Sequence, residues 1–135
     1  MKHLAVVGFG QMGGSLAAAW KAAGLRILAI DPDPAVLRKA LERGWADETS
    51  AALADCARAD AVLLAVPVRT AAAILPEAAK AMNPDALLMD VASTKGALVE
   101  AYRRADCPVT YVSLHPLAGN EGSGIDSADP TMFQG

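Results

Sequence analysis

Three glycines near the amino terminus constrain the fold of this chain more than any other feature. Gly8, Gly10 and Gly13 have the spacing G-x-G-x-x-G and directly follow the apolar run at residues 4–7, LAVV. An alanine-rich segment, residues 14–19, comes next. A valine-rich run that passes through spaced glycines into an alanine-rich segment predicts a strand, a tight turn and a helix.

The spacing of these glycines is typical of a turn that holds a pyrophosphate. Gly8 can take the backbone angles of a sharp turn, Gly10 lets a phosphate approach the main chain, and Gly13 lets the helix pack close to the strand. The free N–H groups at the start of the helix then attract the phosphates. The motif predicts a dinucleotide-binding loop made of Gly8, Gly10, Gln11, Met12 and Gly13.

An acid follows the second predicted strand, residues 25–30, at the position that such a loop requires. Asp31 lies roughly 20 residues beyond the glycines, where a carboxylate accepts hydrogen bonds from the adenosine ribose and repels a 2′-phosphate. This position favours NAD over NADP as the cofactor. The alternative is that Asp31 only opens the turn Asp-Pro-Asp-Pro at residues 31–34.

Strand-like and helix-like segments alternate along the rest of the chain. Pro76 is expected to kink or divide the fourth predicted helix. The pattern predicts an α/β fold, a doubly wound parallel sheet of the Rossmann type with strand order 3-2-1-4-5-6. The predicted strands are 4–7, 25–30, 45–50, 61–66, 86–91 and 109–114, and the helices after the first are 35–43, 51–59, 69–82 and 95–104.

Ligands of such a sheet bind at the carboxyl ends of the strands, beside the first strand. Val66 and Pro67 follow the fourth strand there, and Ser93 and His115 follow the fifth and sixth. An imidazole can accept the proton of a substrate hydroxyl while a hydride leaves the same carbon, and Ser93 could orient that hydroxyl. The alternatives are a helix N-cap at Ser93 and a structural hydrogen bond at His115.

Three motifs together resemble one enzyme family. They are the opening G-x-G-x-x-G-G-S-L-A, the element Asp90-x-x-Ser93-x-Lys95-Gly96, and the segment HPLAGNEGSG at residues 115–124, followed by Met132-Phe133. The same elements, with His-Pro-Met-Ala-Gly in the last, occur in this order in the prephenate dehydrogenase family. The similarity extends over essentially all 135 residues.

The resemblance implies an NAD-dependent enzyme of tyrosine biosynthesis. Its members oxidise the ring hydroxyl of prephenate with loss of CO2, which gives 4-hydroxyphenylpyruvate; some act on arogenate instead. By this resemblance His115 accepts the hydroxyl proton, Ser93 contacts both the hydroxyl and the nicotinamide, and Glu121 lies near the substrate entrance. An ordinary solvated loop acid is the alternative for Glu121.

Members of the family also carry a helical dimerisation domain, which supplies cations for the substrate carboxylates. We therefore expect residues 1–135 to be one dinucleotide-binding domain, part of a two-domain enzyme that forms a homodimer through the missing domain. Two other interpretations stay open. One is an enzyme similar to the β-hydroxyacid dehydrogenases. The segment Gly8–Gly13 resembles the opening of those enzymes, but they lack the element at His115. The other is a non-catalytic dinucleotide-binding module.

Composition excludes several other classes of function. A net charge of −3 gives no basic surface for nucleic acid. No apolar run reaches the roughly 18 residues of a membrane span. Because the first predicted strand follows almost directly on Met1, we expect no signal peptide. Cys56 and Cys107 form no metal-binding pattern, so we expect no metal site and a reduced, cytoplasmic protein.

Overall fold

The structure, a computed structural model, describes residues 2–92, 96–114, 125 and 128. Six parallel strands in this part of the chain form one sheet with the order β3-β2-β1-β4-β5-β6. The predicted fold class and strand order are therefore confirmed. The strands are β1 (His3–Val7), β2 (Arg26–Ile30), β3 (Glu48–Ser50), β4 (Ala61–Leu64), β5 (Leu87–Asp90) and β6 (Thr110–Ser113).

Helices cover both faces of the sheet. α1 and α2 pack on one face, and α3, α4 and a short 3₁₀ segment pack on the other. Their bounds are Gln11–Ala22 for α1, Pro34–Glu42 for α2, Leu53–Arg58 for the 3₁₀ segment, Val68–Ala81 for α3 and Gly96–Ala105 for α4.

The central strands are buried on both faces, which explains their composition. In β1 the residues Leu4, Ala5 and Val6 are fully buried, and β4 is almost wholly buried as well. A strand with a helix layer on each side needs apolar residues at every position rather than at alternate ones. The continuous runs LAVV and AVLL thus place β1 and β4 in the middle of the sheet, beside each other.

Local sequence sets the ends of α2. Asp33 precedes the helix and its Oδ1 accepts the N–H of Ala35 at 2.9 Å, while Pro34 occupies the first helical position. At the other end, Gly44 has a φ of +70°, a conformation that a side chain would strain. The predicted helix therefore begins and ends close to the expected residues.

One local prediction needs correction, and one of the two forms expected of a second is ruled out. Residues 51–59 were expected to form a regular helix, but only Leu53–Arg58 is helical and it is a 3₁₀ turn. The Ser50 hydroxyl accepts the N–H of Ala52 at 3.0 Å and so helps to hold Ala52 in an extended conformation. Pro76 lies inside α3 without dividing it, although the proline cannot donate a bond to the preceding turn.

Both cysteines are free thiols. Cys56 is fully buried, and this burial raises the pKa of its thiol to about 12, whereas Cys107 is partly exposed. Within the described residues, no helix is long and apolar enough to cross a membrane.

Candidate functional site

The turn between β1 and α1 has no space for side chains at two of its glycines. Gly8 has a φ of +88°, and a Cβ there would lie 2.3 Å from Cγ1 of Val66. A Cβ on Gly13 would lie 2.1 Å from the carbonyl oxygen of Gly8. Both distances are far below van der Waals contact, so glycine is required at these positions if the helix is to start so close to the strand.

The start of α1 is held by backbone hydrogen bonds. The Gly8 N–H donates to the carbonyl of Ile30 at 2.8 Å, and the Gly14 N–H donates to that of Gly10 at 2.9 Å. Gly10 precedes the helix and has no side chain with which to accept first-turn N–H groups. A helix start of this kind suits an anion, which can accept those donors and is favoured by the helix dipole.

Asp31 connects the glycine turn to the end of β2. Its Oδ2 accepts the N–H of Phe9 at 3.0 Å, and its Oδ1 accepts the N–H of Asp33 at 2.9 Å. The second bond is the turn-opening role considered above, but the first is a contact across 22 residues of sequence. A carboxylate offers about four lone-pair sites, so these two bonds leave room to accept hydroxyl groups as well.

A cleft of about 220 Å³ opens beside Asp31 at the carboxyl edge of the sheet. Its walls come from the ends of β1 and β2, the chain around the 3₁₀ segment, the residues after β4, and the first turns of α3. Aliphatic walls with one carboxylate at the side suit a flat apolar ring joined to a hydroxylated sugar. The lining residues are Val7, Gly8, Ile30, Asp31, Pro32, Ala51, Leu53, Val66, Thr70 and Ile74.

The predicted cofactor residues fall into two groups. Gly8, Asp31 and Val66 line the cleft together. The rest of the glycine loop lies outside the cleft lining, at the start of α1, where Met12 packs against the core on the α1 face. Pro67 is the residue immediately before α3.

The sequence interpretation missed several walls of the cleft, among them Leu53, Thr70 and Ile74. Thr70 and Ile74 are separated by four residues in α3 and therefore lie on one face of that helix. This spacing was a usable signal, because α3 begins right after the strand end that the cleft adjoins.

A buried acid stands at the carboxyl end of β5. Asp90 is 0% exposed; its Oδ1 accepts the N–H of Ala92 at 2.8 Å, and its Oδ2 accepts the hydroxyl of Ser113 at 2.8 Å. The Tyr111 hydroxyl also donates to Oδ2. Burial, followed by the bond to Asp90, raises the pKa of Tyr111 to about 12, so its hydroxyl remains a donor at neutral pH.

The three predicted substrate-site residues, Ser93, His115 and Glu121, lie outside the described residues. Their described neighbours in sequence are Ala92, on the carboxyl side of β5, and Leu114, on the carboxyl side of β6. The N–H of Leu114 donates to the carbonyl of Asp90 at 2.9 Å. The segments that lead to Ser93 and His115 thus leave the sheet from neighbouring strands.

Comparison with known proteins identifies the family. A family model described as the nucleotide-binding domain of prephenate dehydrogenase matches residues 16–135, which is most of the chain. The chain belongs to the prephenate dehydrogenase family. The resemblance inferred from the three sequence motifs is therefore confirmed.

Relatives in this family cover the whole of the chain. A cyclohexadienyl dehydrogenase from Zymomonas mobilis is 32% identical over 98% of the chain and 46% of its own length. A second relative is prephenate dehydrogenase from A. aeolicus, whose crystal structure is a complex with hydroxyphenyl propionate and NAD+. It is 32% identical, has a TM-score of 0.89, and the match covers 100% of the present chain and 48% of the A. aeolicus chain. An arogenate dehydrogenase from Synechocystis is 29% identical with a TM-score of 0.89, over 97% and 46%.

The chain thus spans about half the length of its relatives in the prephenate dehydrogenase family. The matched half is the nucleotide-binding domain, in agreement with the glycine turn and the cleft. The relatives are dehydrogenases, so the family is one of oxidoreductases.

Proposed function

We propose that this chain is the NAD-binding part of an enzyme that oxidises prephenate and releases CO2, giving 4-hydroxyphenylpyruvate. The observation that carries the proposal is the Asp31 carboxylate, which is bonded to the glycine turn and lines the cleft at the same time. The A. aeolicus relative, whose structure contains NAD+, supports the same cofactor class.

The described residues fit an NAD molecule bound along the carboxyl edge. The adenine ring would occupy the aliphatic cleft, and its ribose would contact Asp31, where a 2′-phosphate would meet a negative charge. The pyrophosphate would lie at Gly10 and the start of α1. From Asp31 to the end of β5 is a distance of three strand spacings, roughly 14 Å, over which the cofactor would extend toward the nicotinamide position.

In this proposal the residues after β5 and β6 position the substrate. Bound NAD supplies the acceptor for the hydride that leaves the hydroxyl-bearing ring carbon. His115 accepts the proton of that hydroxyl at an imidazole nitrogen, and Ser93 holds the hydroxyl in line. The carbon thereby becomes a carbonyl, and cleavage of the bond to the ring carboxylate then releases CO2 and aromatises the ring. Glu121 lies at the entrance for substrate.

The carboxylates of the substrate require cationic partners when they leave water. We propose that a companion helical domain supplies them and joins two copies in a homodimer, and that the enzyme is cytoplasmic. The 135-residue chain alone would then bind NAD but turn over little substrate.

Arogenate is the second candidate substrate. The Synechocystis relative is an arogenate dehydrogenase with the same TM-score as the A. aeolicus prephenate dehydrogenase. Arogenate carries an amine where prephenate has a keto group, and the ring chemistry at the hydroxyl carbon is the same for both.

Two measurements test the proposal. Calorimetric titration of the 135-residue chain should show binding of NAD and much weaker binding of NADP. A protein that joins this chain to the companion domain should oxidise prephenate or arogenate with NAD, and His115→Asn should remove most of that turnover while NAD still binds.

The opposite results are equally clear. Turnover that persists in the His115→Asn protein would favour a non-catalytic role for this histidine. Full turnover by the isolated monomeric chain would contradict the need for a second domain, and failure to bind either dinucleotide would overturn the proposal altogether.

A further inference from the structure

We propose that Asp90 is a positioning residue that holds, with one side chain and one carbonyl, both segments leading to Ser93 and His115. The inference rests on the function proposed above, because it concerns how those two residues are oriented for the reaction. It is carried by contacts among described residues.

Asp90 accepts hydrogen bonds from residues of β6 and from residues that closely follow β5 and β6. On its own strand, its Oδ1 accepts the N–H of Ala92, the residue before Ser93. On the neighbouring strand, its Oδ2 accepts the hydroxyls of Tyr111 and Ser113. Its backbone carbonyl accepts the N–H of Leu114, the residue before His115.

These contacts restrict where the two candidate residues begin. Consecutive Cα atoms lie about 3.8 Å apart across a trans peptide, so fixing Ala92 and Leu114 limits the starting points of the next residues. A catalytic pair works only when its members share a narrow range of distances from the reacting atoms. One residue that holds both segments therefore fixes Ala92 relative to Leu114, the points from which the two segments continue.

Tyr111, which donates to Asp90, is itself held by contacts with α4. Its ring packs against that of Tyr102 in α4, with centroids 5.1 Å apart, and the Tyr102 hydroxyl donates to the carbonyl of Val109 at 2.6 Å. The acid is thus linked through Tyr111 to α4, which packs on the same face of the sheet. This arrangement gives the strand ends a rigid support rather than a solvated one.

Burying this carboxylate costs free energy, and a role that only joined two strands would not explain why an acid is present. A fully buried carboxylate loses its hydration, and apolar residues of similar size often stabilise a core as well or better. β5 and β6 already pair through their backbones, with Asp90 opposite Ser113. A role in orienting the segments beyond the strands explains why an acid occupies this position.

Asparagine at this position tests the idea with little change of shape. Among the described residues, the carboxylate accepts three donors through two oxygens. An amide has one acceptor oxygen and must turn its NH2 group toward one set of donors. In the full-length enzyme, Asp90→Asn should lower kcat by roughly 10- to 100-fold, which is the loss that a small misplacement of catalytic groups produces. The Kd for NAD should stay within about twofold, since Asp90 lies outside the cleft lining.

Asp60→Asn is the matched control. Asp60 also accepts two backbone N–H groups, from Lys2 and His3 at 3.0 Å, but at the opposite edge of the sheet. We expect this variant to keep the kcat of the unmodified enzyme. Tyr111→Phe and Ser113→Ala each remove one donor and should give smaller losses of kcat, so the test remains decisive even if Asp90→Asn does not fold.

Normalising kcat per NAD-binding site separates positioning from loss of folded protein. A purely structural role would reduce the number of NAD sites and leave kcat per site unchanged, and that result in the Asp90, Tyr111 and Ser113 variants would overturn the inference. An unmodified enzyme that oxidises neither prephenate nor arogenate would instead overturn the proposed function, and this inference with it.

Discussion

Aspartates hold backbone groups at both edges of the sheet, but their surroundings differ. At the amino edge Asp60 is exposed, and hydrogen bonds from the N–H groups of Lys2 and His3 lower the pKa of its carboxyl. At the carboxyl edge Asp90 is fully buried and receives two hydroxyl groups as well as an N–H. The first arrangement ties strand starts together in water, and the second organises the segments that lead to the candidate site.

Each of the two edges of the sheet also has a cavity, and the two cavities differ in volume and in the chemistry of their walls. A cavity of about 330 Å³ at the amino edge is lined by Ala59, Asp60, Asn83, Pro84, Asp85 and Ala86. The cleft at the carboxyl edge is smaller, about 220 Å³, but it adjoins the glycine turn and has aliphatic walls. In parallel sheets ligands bind at the carboxyl edge, so wall chemistry and position identify the site better than volume does.

The largest expected effect is that of Gly13→Ala at the carboxyl edge. The added Cβ would lie 2.1 Å from the Gly8 carbonyl oxygen, so α1 must move away from the turn. We expect destabilisation of about 1–3 kcal/mol and loss of measurable NAD binding. Urea unfolding and calorimetry check this result.

Gly96→Ala is the control for that experiment. Among the described residues, a Cβ on Gly96 meets nothing within 4 Å, and this glycine opens a helix in which alanine is favoured. Its NAD affinity should be unchanged and its stability equal or slightly higher. If the Gly13→Ala chain bound NAD as tightly as the unmodified chain, the close approach of α1 to the glycine turn would not be needed for cofactor binding.

Asp31→Asn should have the next largest effect. The neutral amide can replace only part of the bonding of the carboxylate to Phe9 and Asp33 and to a ribose, and hydrogen bonds to charged groups contribute about 1.5–3 kcal/mol. The Kd for NAD should rise by roughly 10- to 100-fold. The affinity for NADP should fall less, because the negative charge that opposes its phosphate is gone.

The same change at the amino edge provides the comparison. Asp47→Asn alters a carboxylate that accepts the N–H of Ile27 at 2.8 Å and pairs with Lys21 at 2.7 Å. This variant should keep the dinucleotide affinities of the unmodified chain. If both variants lose NAD affinity alike, general destabilisation rather than the cofactor site is responsible.

The smallest effects concern pH. Because the pKa of Tyr111 is raised from 10 to about 12, its contribution to stability is complete below pH 10 and is lost as the pH rises toward 12. The pKa of Asp60 is lowered, so its contribution is complete above its ordinary pKa of 3.8 and is lost as the pH falls through its folded value.

Urea unfolding across the pH range separates these contributions. Tyr111→Phe should flatten the alkaline decline alone, and Asp60→Asn should flatten the acid decline alone. An alkaline decline that persists in full in the Tyr111→Phe chain would show that this phenol does not couple its titration to folding.

Much of the fold could be predicted because β1 and the glycines after it leave few alternatives. Continuous apolar runs identified the buried strands, and alternation with helices gave the strand order. The 3₁₀ segment was mispredicted because alanines at residues 51–59 favour a helix in isolation, whereas Ser50 and the short distance to β4 prevent a full one.

The candidate site was only partly predictable for a related reason. Asp31 follows a strand at a known distance from a known motif, so its position carries information. Asp90 lay inside the predicted strand 86–91, and its hydroxyl donors Tyr111 and Ser113 become neighbours only when β6 pairs with β5. Their alternate spacing, which places both on one face of β6, was the remaining signal.

The central position of β1 also affects how this protein is made. β1 is synthesised before both of its partners, β2 and β4, and β4 ends at Leu64. The edge of β1 that pairs with β4 therefore stays open until the chain has been synthesised as far as Leu64. During that interval β1 offers chaperones a short aliphatic segment to bind.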